Sequence, residues 1–459
     1  MKPKTLKPVV AALLVPLVGC VVVAPQPVSL PERRPLGRGL PGYRAPLEPS
    51  ASSSAAPALE DPTGVLTLQQ ALALALLHNP ELAASSWEIR AAEARTLQAS
   101  LRPNPELEAE AEEIFGTGGA RGIDSAEASL VLSQLVELGG KRARRIRVAA
   151  LEGELAGWDY EAQRLTVLTD TAKAFVEVLV AQERVALGEE LVKLAKRGQE
   201  IVAEKIKAGK VSETEAAKAR VELVTSQIDL AQARRQLAAS RKRLVALWGG
   251  KTATFQRVAG QLDAIAPVPS AERLAGFLAQ HPDVARWSTE MSLRQAKLDL
   301  EKANARADLT LSGGVQYFND PDNGAFIIGV GVPLPLFDRN QGGIREAKAE
   351  LAKAGEERRA AETEVTAELG AAYEELASAY EEATALNKDV LPAAKAAHGA
   401  VQEGYRQGKF GFLDVLDAQR TLFEAGQKHI DALALYHQAL AELEGLIGQS
   451  LASVNKQPK

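Results

Sequence analysis

Apolar residues along this chain follow two different periods. From about residue 141 to 208, and again from about 343 to 407, they recur at steps of three and four. Leu165, Leu168, Ala172, Phe175, Val176 and Leu179 are an example, with charged residues filling the other positions. This is the stripe of an amphipathic helix. At 1.5 Å per residue each helix would reach roughly 100 Å, too long for a compact domain. Such helices have to bury their stripes against neighbours as coiled coils do. Gly188 and Pro392 are expected to interrupt them, proline because it removes a helix hydrogen bond. Each long helix is preceded by a shorter one, at about 67–101 and 271–305, and followed by a returning helix. Between the short and long helices the period drops to two. Glu106, Glu108, Glu110 and Glu112 alternate with Leu107, Ala109 and Ala111, and Glu127, Ser129, Val131 and Ser133 with Ala128, Leu130 and Leu132. In strands this puts the four carboxylates on one face and the small apolar groups on the other. Likewise Leu309, Leu311, Val315 and Tyr317 oppose Thr310, Ser312 and Gln316, and Phe326, Ile328, Val330 and Val332 oppose Ala325, Ile327, Gly329 and Gly331. Turn-rich loops at 116–125 and 319–324 join each pair into a hairpin.

The same order of features is therefore written twice. His78-Asn79-Pro80-Glu81-Leu82 returns as His281-Pro282-Asp283-Val284, about 200 residues later. Gly209-Lys210, opening a helix that ends Leu247-Trp248-Gly249, returns as Gly408-Lys409, opening one that ends Leu446-Ile447-Gly448. The expected division is a first repeat over 63–262 (hairpin 105–138, helical hairpin 141–249) and a second over 263–450 (hairpin 308–337, helical hairpin 343–448). A short tail, 451–459, follows. Apolar-out, polar-in alternation over about ten residues is the signature of transmembrane barrel strands. Four strands cannot close a barrel, and an open edge in lipid is prohibitive. Three copies would supply twelve strands, and their long helices a second tube on the same bore.

Composition narrows the chemistry. In 459 residues, 54 Lys+Arg against 59 Asp+Glu give a net charge of −5, so nothing global favours nucleic acid. One Cys, five His and two Met leave few soft ligands for a transition-metal centre. His429 and His437 are eight residues apart on one helix, too far for one ion. No phosphate loop and no nucleophile–base constellation is present, so neither a cofactor nor an enzyme activity is expected. The basic run Lys141, Arg142, Arg144, Arg145, Arg147, at the foot of a strand, reads as a membrane–water boundary.

The start of the chain is an address. Lys2, Lys4 and Lys7 precede an apolar run to Val18, resembling a secretory signal peptide over residues 1–19. Leu17-Val18-Gly19-Cys20 resembles a bacterial lipobox, which implies acylation of Cys20, and Val21 after it implies sorting to the outer membrane. Residues 20–62 hold nine of the 23 prolines with no apolar period and read as an extended tether from the lipidated Cys.

Taken in order, Leu101-Arg102-Pro103-Asn104-Pro105, Leu135-Val136-Glu137-Leu138-Gly139-Gly140-Lys141-Arg142, Pro333-Leu334-Pro335-Leu336-Phe337 and Gly408-Lys409 with Leu413-Asp414-Val415-Leu416-Asp417-Ala418 resemble the outer-membrane efflux factor (TolC-like) family over roughly residues 64–450. Within it the chain looks most like the lipoprotein factors of heavy-metal cation-efflux exporters. The resemblance implies a mainly α fold with a β-barrel section. An internally duplicated protomer would form a homotrimer, with a twelve-stranded transmembrane β-barrel continued by a long periplasmic α-helical barrel. It implies a Gram-negative outer-membrane duct without catalysis, a periplasmic adaptor and an inner-membrane pump, proton-driven in that subfamily. It implies that Asp414 and Asp417 line a periplasmic constriction. It also implies that the tips Gly209-Lys210-Val211-Ser212 and Gly408-Lys409-Phe410-Gly411 meet the adaptor. In copy one the constriction positions hold Glu215 and Lys218, which breaks the acid pair. Glu106, Glu108, Glu110 and Glu112 are expected to face the barrel lumen. The rival readings are a periplasmic adaptor lipoprotein and a coiled-coil envelope scaffold without a pore.

Overall fold

A computed structural model describes residues 27–47, 62–118, 122, 125–319 and 323–456. The signal segment and Cys20 lie outside the described residues. Copy one runs β1 (Gly64–Leu66), α1 (Leu68–His78), α2 (Pro80–Ser100), β2 (Glu106–Glu112), β3 (Glu127–Val136), α3 (Lys141–Lys207) and α4 (Glu213–Ala246). Copy two runs β4 (Phe255–Val258), α5 (Ala271–Ala275), α6 (Pro282–Ala285), α7 (Trp287–Asn304), β5 (Leu309–Phe318), β6 (Asn323–Gly331), α8 (Gln341–Ala385), α9 (Leu391–Arg406), α10 (Phe412–Ile447) and α11 (Leu451–Lys456). No helix among the described residues is long and apolar enough to cross a membrane.

The short helix of each copy is broken where the sequence reads as continuous, and both share a break ahead of a proline. Asn79 precedes Pro80, is held extended, and caps α2 by accepting a hydrogen bond from the Leu82 amide at 2.9 Å. His281 precedes Pro282 and caps α6 through Nδ1, accepting from the Asp283 amide. The long helix of copy one, by contrast, runs through Gly188 without a break. Gly188 packs against Leu230 of α4, where a Cβ would stand at 3.4–3.7 Å, an ordinary van der Waals contact. The long helix of copy two is interrupted as expected. A π-turn, Leu386–Val390, stands between α8 and α9 just ahead of Pro392.

β2, β3, β5 and β6 form one antiparallel sheet in that order, so among the described residues β2 and β6 are its unpaired edges. A two-stranded parallel ribbon, β1 with β4, sits midway along the molecule. Its Leu66, Phe255 and Val258 join Phe175, Val178, Trp248 and Leu433 in the largest buried cluster. A second cluster packs α8 against α10 and takes in Leu451 and Val454 of α11, so the tail is partly core.

The segment read as an extended tether is, over 27–47, a strap bound to the protein. Arg164 of α3, 1 % exposed, forks onto the Glu161 carboxylate at 2.8 Å and donates to the carbonyls of Leu36 and Arg34. Glu161 in turn accepts the Arg34 amide at 2.7 Å. The strap thus completes the hydrogen bonding of a buried ion pair, which would be costly if left unsatisfied.

Candidate functional site

Two places carry the candidate site, the sheet at one end and the helical tips at the other. In the sheet, directly opposed residues share a face. One set of rows reads Leu107–Leu132–Gly313–Ile328 and Ala109–Leu130–Val315–Phe326. Along it Leu107 is 67 % exposed, Phe326 84 % and Ile328 87 %. An apolar face this exposed is what a lipid-facing band looks like. The alternate rows read Glu106–Ser133–Ser312–Gly329, Glu108–Val131–Gly314–Ile327, Glu110–Ser129–Gln316–Ala325 and Glu112–Glu127–Phe318–Asn323. The four carboxylates, all exposed, therefore share the mainly polar face. Gln316 reaches Glu127 at 2.8 Å on it.

Where sheet gives way to helix, Lys141, Arg144 and Arg145 of the basic run make local joints. Lys141 pairs with Asp308 at 2.8 Å, the Leu138 amide donates to the same carboxylate, Arg145 pairs with Glu137, and Arg144 donates to the Gly139 carbonyl. The Asp308 contacts join the foot of copy one's strand to that of copy two.

At the opposite end each helical hairpin turns through the same motif. The Gly209 amide bonds to Ile206 O and the Lys210 amide to Lys205 O; the Gly408 amide bonds to Tyr405 O and the Lys409 amide to Gly404 O. Gly209 has φ +68° and Gly408 φ +78°, left-handed values that glycine adopts without strain. Lys210, Ser212, Lys409, Phe410 and Gly411 are exposed and Val211 is half-buried. The Phe410 ring lies against Gly404, so closely that a Cβ there would have no room.

Behind the tips Val202, Ala219, Tyr405, Phe412 and Val415 form a small core. Phe412 and Val415 point inward, which leaves Asp414 and Asp417, three apart, both exposed on α10. Asp414 also serves the backbone, because its Oδ2 accepts the Gly411 amide at 2.8 Å and so caps the helix start. In copy one Glu215 accepts a hydrogen bond from the Tyr405 hydroxyl at 3.1 Å, while Lys218 is exposed. Lys205 lies 3.6 Å from the centre of the Tyr405 ring. Burial, with the Glu215 carboxylate beside it, pushes the Tyr405 hydroxyl up to about 12. Sequence reasoning missed Tyr405. Its only signal was an aromatic just ahead of Gly408, at the position that Ile206 holds ahead of Gly209 in the other copy.

Among the described residues no group of three or more His, Cys, Asp or Glu is placed to hold a metal ion. His437 instead bonds the Leu262 carbonyl at 2.8 Å.

Residues 71–250 and 275–449 match the family described as Outer membrane efflux protein. The cobalt-zinc-cadmium resistance protein CzcC of Cupriavidus metallidurans is 34 % identical over 386 residues, 84 % of this chain and 91 % of that protein. The nickel and cobalt resistance protein CnrC of the same organism is 31 % identical over 310 residues, 67 % and 71 % of the two chains. Among solved structures, the Campylobacter jejuni CmeC outer membrane channel superposes with a TM-score of 0.70 at 18 % identity, covering 89 % of this chain and 94 % of its own. With duplicated long helical hairpins, a lipid-ready sheet and these likenesses together, the chain belongs to the outer membrane efflux protein family: it is an efflux channel of the Gram-negative outer membrane that extends into the periplasm.

Proposed function

We propose that the chain is the passive exit duct of a tripartite cation-efflux system. Three copies join β6 of one to β2 of the next, which closes twelve strands with Glu106, Glu108, Glu110 and Glu112 in the lumen. Cys20 carries the acyl chains. The tips 209–212 and 408–411 receive a periplasmic adaptor, and an inner-membrane pump driven by protons supplies the cargo. The single observation that carries this reading is the sheet: an exposed apolar face with two edges unpaired among the described residues is unstable in lipid unless the edges close on further copies. An adaptor would need several small β domains, whereas the described strands make one open sheet and one short ribbon.

Divalent cations as cargo are supported by the resistance named for CzcC and by the exposed Asp414–Asp417 pair. Three copies would present six carboxylates at the periplasmic end, a ring that attracts cations and repels anions. Single-channel recording in planar bilayers tests this. The wild-type channel should be cation-selective and blocked by multivalent cations. Asp414→Asn with Asp417→Asn should weaken that block by about tenfold or more, since a carboxylate 4 Å from a charge contributes about 1 kcal/mol even in bulk water. Unchanged selectivity and block in the double variant would remove the ring.

A further inference from the structure

His429 of α10 is 5 % exposed, and among the described residues its Nε2 has no hydrogen-bond partner. A buried polar nitrogen left in that state is costly. Asp263, in the segment that joins the two repeats, brings its Oδ1 to 3.6 Å from that nitrogen. This is too long for a hydrogen bond. It is also too short for a bridging water, which would need about 4.6 Å with bonds of about 2.8 Å to either side. It does suit a metal ion. Zinc takes imidazole nitrogen and carboxylate oxygen at about 2.0–2.2 Å, so an ion between these two atoms would subtend about 110–130°, close to tetrahedral.

The fold sets this approach in advance. The joining segment is pinned to α10 on both flanks of Asp263. His437 bonds the Leu262 carbonyl at 2.8 Å, and the Tyr436 hydroxyl accepts the Ala266 amide and donates to the Ala266 carbonyl, both at 2.9 Å. The backbone that carries Asp263 is therefore in place before any ion arrives. Asp263 and His429 line a cavity of about 710 Å³ with Glu183 and Glu190 of α3 and Lys395 of α9. With the imidazole counted as neutral, three carboxylates against one ammonium leave these walls at −2, which draws cations. There is room for waters to complete an ion's shell, since each takes about 30 Å³. Asp263 is exposed, so an ion can arrive from solvent and meet the buried imidazole beneath. Asn387 of the π-turn belongs to the same lining.

We propose that His429 and Asp263 are the protein ligands of a divalent transition-metal site, of the zinc type that imidazole and carboxylate together favour. Only two protein ligands converge, so water holds the remaining positions. A bound ion ties the segment joining the repeats to α10 beside the π-turn. Twelve residues of α10 separate His429 from Asp417, about 18 Å at 1.5 Å per residue. The site is thus distinct from the acid pair at the tip and does not depend on how that pair is read.

The test uses the full-length channel in phospholipid discs, in an Asp414→Asn, Asp417→Asn background so that the tip cannot compete. Zinc alone is titrated and followed by calorimetry. One ion per chain is expected, and Asp263→Asn and His429→Gln should each weaken its binding at least tenfold. X-ray absorption at the zinc edge should show one imidazole per ion, lost in His429→Gln. Asp263→Asn changes an exposed side chain, so its loss of affinity does not reflect a loss of fold. No zinc binding up to millimolar concentration would overturn the site, as would unchanged affinity in either variant or a zinc spectrum without imidazole. An ion bound by the wild type but missing from the Asp414→Asn, Asp417→Asn background would overturn it too, and would assign that ion to the tip.

Discussion

The two hairpin tips share a backbone and differ in what their side chains do. Both reverse through a left-handed glycine with the same pair of amide–carbonyl bonds. Only the second tip has its acids three apart on one helix face, and one of them also caps its own helix; the first carries Glu213 and Glu215 two apart. In the first, Glu215 receives the Tyr405 hydroxyl from the other copy, and Lys218 replaces the second acid. Duplication has therefore kept the turn, which the backbone dictates, and let the charges diverge.

The comparison can be broken most forcefully at Phe412, 3 % exposed in the tip core. Phe412→Ala should cost about 3–5 kcal/mol locally. Hydrogen exchange should then accelerate across both hairpins, because the core draws on Val202 and Ala219 of copy one as well. Acceleration confined to α10 would mean that the tips are independent. A smaller effect tests the shared backbone. Gly209→Ala and Gly408→Ala should each cost about 1–2 kcal/mol, and equally, since both force a side chain into the left-handed region; thermal unfolding of the two variants reads the difference. Smallest is the bridge between tips. Tyr405→Phe should cost about 1 kcal/mol, and it should also change an alkaline response. With its hydroxyl held up to about 12 against an ordinary 10.0, the folded tip keeps a proton that the unfolded chain releases. That contribution is whole below pH 10 and lost between pH 10 and 12. Stability measured across that window should fall in the wild type and less so in Tyr405→Phe.

Much of the architecture was legible because it is periodic. A stripe at steps of three and four forces a long helix to find a neighbour, and a period of two fixes which side of a strand meets lipid. The registers place Leu107, Leu130, Val315 and Phe326 on one face, as the alternation requires. The strap was illegible because its hydrogen-bond partners, Glu161 and Arg164, stand more than a hundred residues away, and its prolines give no period. The ribbon of β1 and β4 has strands of three and four residues, too short for alternation to register. Gly188 misled because one glycine lowers helix stability by only about 1 kcal/mol, too little to break a helix as long as α3. Whether Asp414 caps its helix or only faces solvent depends on the backbone three residues earlier, which spacing alone does not give.

The π-turn of copy two has a consequence for phase. Buried residues of α8 fall at Ala354, Val365, Leu369, Ala372, Leu376, Ala379 and Ala383, closing at Leu386; below the turn they resume at Ala394, His398, Gly404 and Tyr405. Leu386 to Ala394 is eight residues where a heptad would give seven. One surplus residue, which in an unbroken coil would swing everything beneath it by about 100°, has been taken up within a single widened turn. The lower coil is indexed afresh from that point, so its seam answers to its own sequence and not to the phase of the helix above.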